Sequence, residues 1–242
     1  MPPLEPYKRH LPYTYALGLY PAIQALELVP SLVSRVLVHS KLGTGEGART
    51  LLDACARLDI RVEQADRVLR RVSGKDNCFA AAVVNKVFQP LDPAKNHLVL
   101  VNPMDAGNLG TILRSALGFS YLDIALITPC ADAFDPSVMR ASMGAAFSLR
   151  IVEFDSFEAY QAQAGPRAVY PFMLSDRAKP LSAIIPQKNS PHSLVFGNEG
   201  SGLPDAFLQV GQPVMIEQSS AIDSLNLAVS AAIGMYSFSI ND

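Results

Sequence analysis

The chain has 242 residues, 49% of them apolar and 17% charged, with 20 Lys and Arg against 22 Asp and Glu, 18 Pro, 3 Cys and no Trp. That length supports one large domain or two small ones with a proper core, and a mean hydropathy of +0.19 excludes a disordered polyelectrolyte. No stretch reaches the roughly 18 uninterrupted apolar residues of a membrane helix, because Pro21, Glu27, Pro30 and Arg35 break Leu17–Val38.

Cys55, Cys78 and Cys130 are odd in number and far apart, so neither a disulfide framework nor a zinc site is expected. Pro12 and Pro21 interrupt what would be the apolar core of a signal peptide. The expectation is a soluble, reduced, cytoplasmic protein without metal or membrane.

In chain order, short β-branched and apolar runs predict strands at Arg35–His39, Ile60–Gln64, Ala80–Val87, Leu98–Asn102, Ile124–Thr128, Leu149–Phe154, Ala168–Leu174, Ser193–Phe196 and Val214–Glu217. Helical periodicity marks Glu46–Leu58, Leu109–Leu117, Pro136–Gly144, Phe157–Ala164, Pro204–Val210 and Ser224–Ser239. Such alternation, with continuous apolar strands, predicts an α/β fold with a largely parallel sheet covered on both faces. The polar, proline-bearing stretch Gln89–Asn96 marks the boundary of two domains, 1–93 and 94–242. Charge divides there too. Residues 1–95 carry 13 Lys and Arg against 9 Asp and Glu, and residues 96–242 carry 7 against 13. Ordinary scatter explains such a split as well as a polyanion-binding first half does.

Ligands of open parallel sheets sit beyond the carboxyl ends of strands, and three loops there are rich in Gly, Asn and Ser. Asn102–Ala116 runs from a strand into a helix that Asn108 is expected to cap; Arg114 lies outside its apolar stripe Leu109, Ile112, Leu113, Ala116. Gly197-Asn198-Glu199-Gly200-Ser201-Gly202 follows a buried strand, so that backbone faces a ligand whose approach a side chain would block. Its spacing is neither the dinucleotide fingerprint nor a P-loop. Gly43–Gly47 also fails that spacing and reads as a flexible turn. Asp223-Ser224-Leu225-Asn226 is expected to open the last helix. Each loop taken alone is also what ordinary helix caps and solvated side chains look like.

Together they say more. Asn108-x-Gly110-x-x-x-Arg114, then Leu194-Val195-Phe196-Gly197-Asn198-Glu199-Gly200-x-Gly202-Leu203, then Ser224-Leu225-Asn226-Leu227-Ala228-Val229 resemble the three signature motifs of the SpoU/TrmH branch of the SPOUT RNA methyltransferases. The likeness spans Leu98–Ser239 and includes Asp135-Pro136 and Arg140–Ala145, although Asn102-Pro103 stands where the family often has Asp-Pro. The resemblance implies an α/β domain with a deep trefoil knot, an exception to the rule against threaded chains. It also implies a homodimer and S-adenosylmethionine held against Gly197, Ile216 and Leu225. Residues 1–93 are similar to the small α/β RNA-binding domain that precedes many such catalytic domains.

The implied activity is methylation of a ribose 2′-hydroxyl in ribosomal or transfer RNA. Arg114 would activate that hydroxyl, or orient the phosphate and stabilise developing alkoxide charge, since a guanidinium is a poor base. Asn108 and Asn226 would position ribose and protein groups, Ser224 would bond near the hydroxyl, and Glu199 would organise the second loop. A catalytically silent RNA binder of the same fold is the alternative, and it has no need of all five residues. A small-molecule transferase would leave the basic first half without a purpose.

Overall fold

The computed structural model describes residues 4–184 and 190–239. The chain divides into two compact units, 1–87 with 132–148, and 88–131 with 149–242.

The first unit contains β1 (Tyr13–Leu17), α1 (Leu19–Leu28), β2 (Val33–Val38), α2 (Glu46–Arg57), β3 (Val62–Gln64), α3 (Asp66–Ser73) and β4 (Ala80–Asn85). Its sheet runs β1-β4-β2-β3, with β4 antiparallel to both neighbours and β2 parallel to β3. One face packs Ala22, Ala25 and Leu26 of α1 and Leu51, Ala54 and Cys55 of α2 against Val36, Ala80, Ala82 and Val84. The helical spacing of those buried residues is what makes both segments amphipathic. The other face packs Leu69 and Val72 of α3 against Tyr15, Leu37, Ala81 and Val83. Gly74, in the left-handed region at φ 62, stops α3. Sequence periodicity missed β1, α1 and α3: Pro21 lies in the first turn of α1, where proline costs little, and β1 has only five residues.

The second unit opens with β5 (His97–Val101), α4 (Ala106–Gly118) and β6 (Asp123–Ile127). The chain then rejoins the first unit for α5 (Pro136–Ala141), where Thr14 Oγ1 donates to the Phe134 carbonyl at 2.5 Å and Phe147 packs on the α1–α2 core. Residues 132–148, which lie beyond a division near residue 93, therefore belong with the first sheet. The second unit resumes with β7 (Arg150–Phe154), α6 (Phe157–Ala164), β8 (Ala168–Pro171), β9 (Lys179–Pro180), β10 (His192–Phe196), β11 (Val214–Met215) and α7 (Leu227–Ser239).

Its main sheet runs β7-β6-β5-β10-β8 and is parallel throughout. β5, β6 and β10 are buried at every residue, the reason they read in sequence as continuous apolar runs. Several predicted elements are shorter in the fold. The strand predicted over Ala168–Leu174 ends at Pro171, the helix predicted over Pro136–Gly144 ends at Ala141, and Asp205–Gln209 is a 3-10 turn. From β5 the strand order proceeds to β6 and β7 on one side, and to β10 and β8 on the other. The order reverses between β5 and β10, and open α/β sheets bind ligands at the carboxyl side of that reversal.

Candidate functional site

The loops leaving β5 and β10 meet at this crevice. Asn198 and Gly202 exchange backbone hydrogen bonds of 3.2 and 3.0 Å. A Cβ on Gly197 would lie 2.2 Å from the Gly202 carbonyl carbon and 2.4 Å from the Leu203 nitrogen. Glycine at 197 is thus required by the loop's own crossing, whether or not a ligand is bound. The Asn198 side chain secures the turn from within. Its Oδ1 accepts from the Gly200 and Ser201 amides at 2.9 and 3.2 Å, and its Nδ2 donates to the Asn102 carbonyl at 2.8 Å.

Glu199 reaches the other loop, its two oxygens accepting from the Met104 and Asp105 amides at 3.2 and 3.0 Å. The Asp105 amide is among those a helix start leaves unsatisfied. The cap of α4 is Asp105, which accepts from the Asn108 amide at 2.7 Å. Asn108 was expected in that role. The helix starts three residues earlier than its apolar stripe shows, so Asn108 is already inside it and its side chain is free for another partner.

That partner is on the third loop. Asn226 Nδ2 donates to Asn108 Oδ1 at 3.0 Å, while Asn226 Oδ1 accepts from the Ala228 and Val229 amides at 2.9 and 3.3 Å. Asn226 thereby caps α7, which begins at Leu227 and not at Ser224. Ser224 and Leu225 remain in the loop before it.

A cavity of about 540 Å³ lies between the segments that follow β8, β10 and β11, lined by Gly197, Glu199, Ile216, Ser224 and Leu225 from the sequence-derived set. Asn108, Arg114 and Asn226 stand outside its wall. Phe172, Met173 and Leu174 also line it, and no sequence signal marked them. Phe172 stacks on Phe196 with centroids 4.3 Å apart, and a Cβ on Gly234 of α7 would lie 2.9 Å from both rings. The bulky residues just past β8 were the available clue. Two further carboxylates, Asp205 and Asp223, give the cavity a negative lining beside its aromatic floor. Arg114 lies on the exposed stripe of α4 with Gly107, Thr111 and Gly118, and has no hydrogen-bond or ion-pair partner among the described residues. Among the described residues no group of three His, Cys, Asp or Glu side chains could hold a metal ion, and no helix is long and apolar enough to cross a membrane.

A family model described as the SpoU rRNA methylase family matches residues 95–236. The chain is 30% identical over 172 residues to an uncharacterized tRNA/rRNA methyltransferase of Synechocystis, covering 66% of this chain and 59% of that one. It is 32% identical over 159 residues to the 23S rRNA (guanosine(2553)-2′-O)-methyltransferase of Bacillus subtilis, covering 64% and 62%. It thus spans about three fifths of the length of these curated relatives. The fold matches the SpoU methyltransferase AviRb of Streptomyces viridochromogenes, solved in complex with AdoMet, with a TM-score of 0.74, 24% identity, and coverage of 95% and 90%.

Proposed function

The chain belongs to the SpoU rRNA methylase family, and on that premise we propose that it transfers a methyl group from S-adenosylmethionine to a ribose 2′-hydroxyl of ribosomal or transfer RNA. The observation that carries this reading is the cavity beyond the ends of β8 and β10, with the Arg114 helix tied to its rim through Glu199 and the Asn226–Asn108 bond.

The cavity fits the cofactor. Its aromatic and aliphatic floor, Phe172, Phe196, Val214, Ile216 and Leu225, suits an adenine, and the carboxylates of Asp205 and Asp223 suit a ligand with cationic centres. When bound, the cofactor supplies an electrophilic methyl on a sulfonium. Gly197, Ile216 and Leu225 hold the adenosine by backbone groups. Ser224 hydrogen-bonds near the attacking hydroxyl. The unpaired Arg114 guanidinium draws the RNA phosphate and the incipient alkoxide, in the fixed planar geometry that Lys lacks. Glu199 acts by holding the start of α4, and Asn108 and Asn226 hold the starts of α4 and α7 together. A silent binder has no use for a lined cavity joined to an unpaired arginine.

Three finer features belong to the same reading. The backbone between β10 and α7 is threaded as a trefoil knot, a reading supported by the close approach of Gly211 to β8, where a Cβ would lie 2.1 Å from the Val169 carbonyl oxygen. The protein is a cytoplasmic homodimer that joins through the outer face of α7, where Val229 and Tyr236 are 47% and 54% exposed. Residues 1–93 bind the RNA.

The test is methyl transfer from labelled cofactor to cellular RNA, followed by alkaline hydrolysis. Label in alkali-resistant dinucleotides is the expected result, because a methylated 2′-oxygen cannot attack its phosphate. Label in mononucleotides places the methyl on a base and removes the ribose assignment; no label removes the activity.

A further inference from the structure

Strand pairing gathers one set of side chains at a single end of the first unit's sheet. Val38 at the end of β2 lies opposite Ala80 at the start of β4 and Gln64 at the end of β3. The Gly18 amide, just after β1, donates to the Ala80 carbonyl at 2.9 Å, and the His39 amide donates to the Phe79 carbonyl at 2.9 Å. The residues following β1, β2 and β3 and preceding β4 therefore share this end. They include two exposed aromatics, Tyr20 at 71% and Phe79 at 40%.

The Phe79 ring is held, not loose. His39 meets it edge-on at 5.7 Å and 88°, and His39 Nδ1 accepts from the Lys41 amide at 3.0 Å. The adjoining turn is tied down by Asp66, which accepts from the Ser40 amide and hydroxyl at 2.8 and 2.6 Å. Lys41 is two residues past His39, Arg67 follows the Asp66 that holds Ser40, and Lys75 precedes Phe79 by four residues; all three are exposed and without an ion-pair partner among the described residues. Of the acidic groups at this end, Asp66 is engaged by Ser40 and Asp76 is paired with Arg70 at 3.0 Å, which leaves Glu46. The glycine turn 43–47 lies here as well: a Cβ on Gly43 or Gly45 would meet nothing within 4 Å, so this backbone is open to a ligand.

We propose that this end of the first unit is a recognition surface for unpaired RNA, with a base stacked on the Phe79–His39 pair and phosphates on Lys41, Arg67 and Lys75. The proposal rests on the RNA-methyltransferase reading and adds where the substrate is gripped. A rigid, partly exposed ring beside free cations is what splayed bases and their backbone require, whereas double-stranded RNA offers no base face. The sign of the local charge agrees: residues 1–95 hold 13 Lys and Arg against 9 Asp and Glu.

The test measures binding of a fluorescently labelled RNA hairpin with a mixed-sequence single-stranded loop to full-length protein across a salt series. Phe79→Ala is expected to weaken binding about tenfold or more, with Phe79→Trp restoring it. Lys41→Gln, Arg67→Gln and Lys75→Gln combined should lower the slope of log affinity against log salt by about 2 to 3. Cofactor affinity and melting temperature should be unchanged in both. Variants that bind the hairpin as wild type does, while wild type binds it and methylates cellular RNA, overturn this surface alone. Wild-type protein that neither binds the hairpin nor methylates RNA overturns the parent reading and this one with it.

Discussion

Asn226 and Asn108, 118 residues apart in sequence, join the first turns of α7 and α4 by a side-chain hydrogen bond of 3.0 Å. The same Asn226 amide caps its own helix through Oδ1. One side chain thus sets the start of α7 and its distance from α4. Asn226→Ala should lower unfolding free energy by about 1–2 kcal/mol, the usual value of a lost cap with part of a hydrogen bond. Asn108→Ala should cost less, because it removes no cap. A double-mutant cycle by urea denaturation should give a coupling of about 0.5–1.5 kcal/mol; additive losses would show that the bond contributes nothing to stability.

Glu199 should prove to be a fastener. Both carboxylate oxygens accept backbone amides of the β5–α4 loop, and hydrogen bonds to a charged acceptor contribute about 1.5–3 kcal/mol each when desolvated. Since the group is partly exposed, Glu199→Ala should cost about 1–2 kcal/mol in total. Glu199→Gln should lose roughly half of that, because its NH2 must face one of the two N–H donors. Thermal unfolding of the three proteins checks the order, and a glutamine variant less stable than the alanine variant would contradict it.

Gly197 is expected to be intolerant of any side chain even without ligand. Overpacking against backbone costs about 1–3 kcal/mol, and here the neighbour is the Gly202–Leu203 peptide at 2.2–2.4 Å. Gly197→Ala should lower the melting temperature of the unliganded protein, and a wild-type melting temperature in that variant would place the loop crossing elsewhere.

Acid should weaken the second unit through His97. This ring is buried at the start of β5; Asp92 offers only a carbonyl, so Nε2–H donates to it at 2.8 Å and Nδ1 accepts from the Tyr160 hydroxyl at 2.9 Å. Burial, aided by the Arg167 and Arg150 charges and opposed by the Asp92 carbonyl and Asp123, pushes its pKa down from 6.5 to about 4. The unfolded chain therefore binds more protons between those values, and stability falls as pH drops from about 6.5 towards 4. His97→Gln should flatten that part of a stability–pH profile, and a profile identical to wild type would remove His97 as its cause.

Arg114→Ala should fold and bind cofactor normally, since the side chain is exposed and packs into nothing. Single-turnover methyl transfer at saturating RNA should slow at least about a hundredfold, the scale of a lost acid–base or charge-stabilising group. Arg114→Lys should recover little. A near-normal single-turnover rate in the alanine variant would take Arg114 out of the chemistry.

How far sequence reaches here follows from what makes each element. β5, β6 and β10 are buried on both faces, so burial itself writes the apolar run. Helix starts read less well because capping residues recur nearby. Asp105 and Asn108 are both good caps, and only the backbone shows that Asp105 is used. Ser224, Asn226 and Asp223 pose the same ambiguity, resolved in favour of Asn226. The cavity's aromatic floor was invisible because Phe172, just past β8, and Phe196, the last residue of β10, are far apart in sequence and meet through the pairing of β8 with β10.

The excursion of residues 132–148 back to the first unit carries a consequence for the order of synthesis. The α1–α2 core closes with Phe147, which leaves the ribosome only after β5, α4 and β6 have emerged. The first-made half of the chain therefore cannot finish before the second has begun, and the two must mature in alternation. Stalled nascent chains that expose residues 1–131 should stay protease-sensitive, and those that expose 1–148 should gain a resistant first unit. Equal resistance at both lengths would show that the early sheet closes unaided.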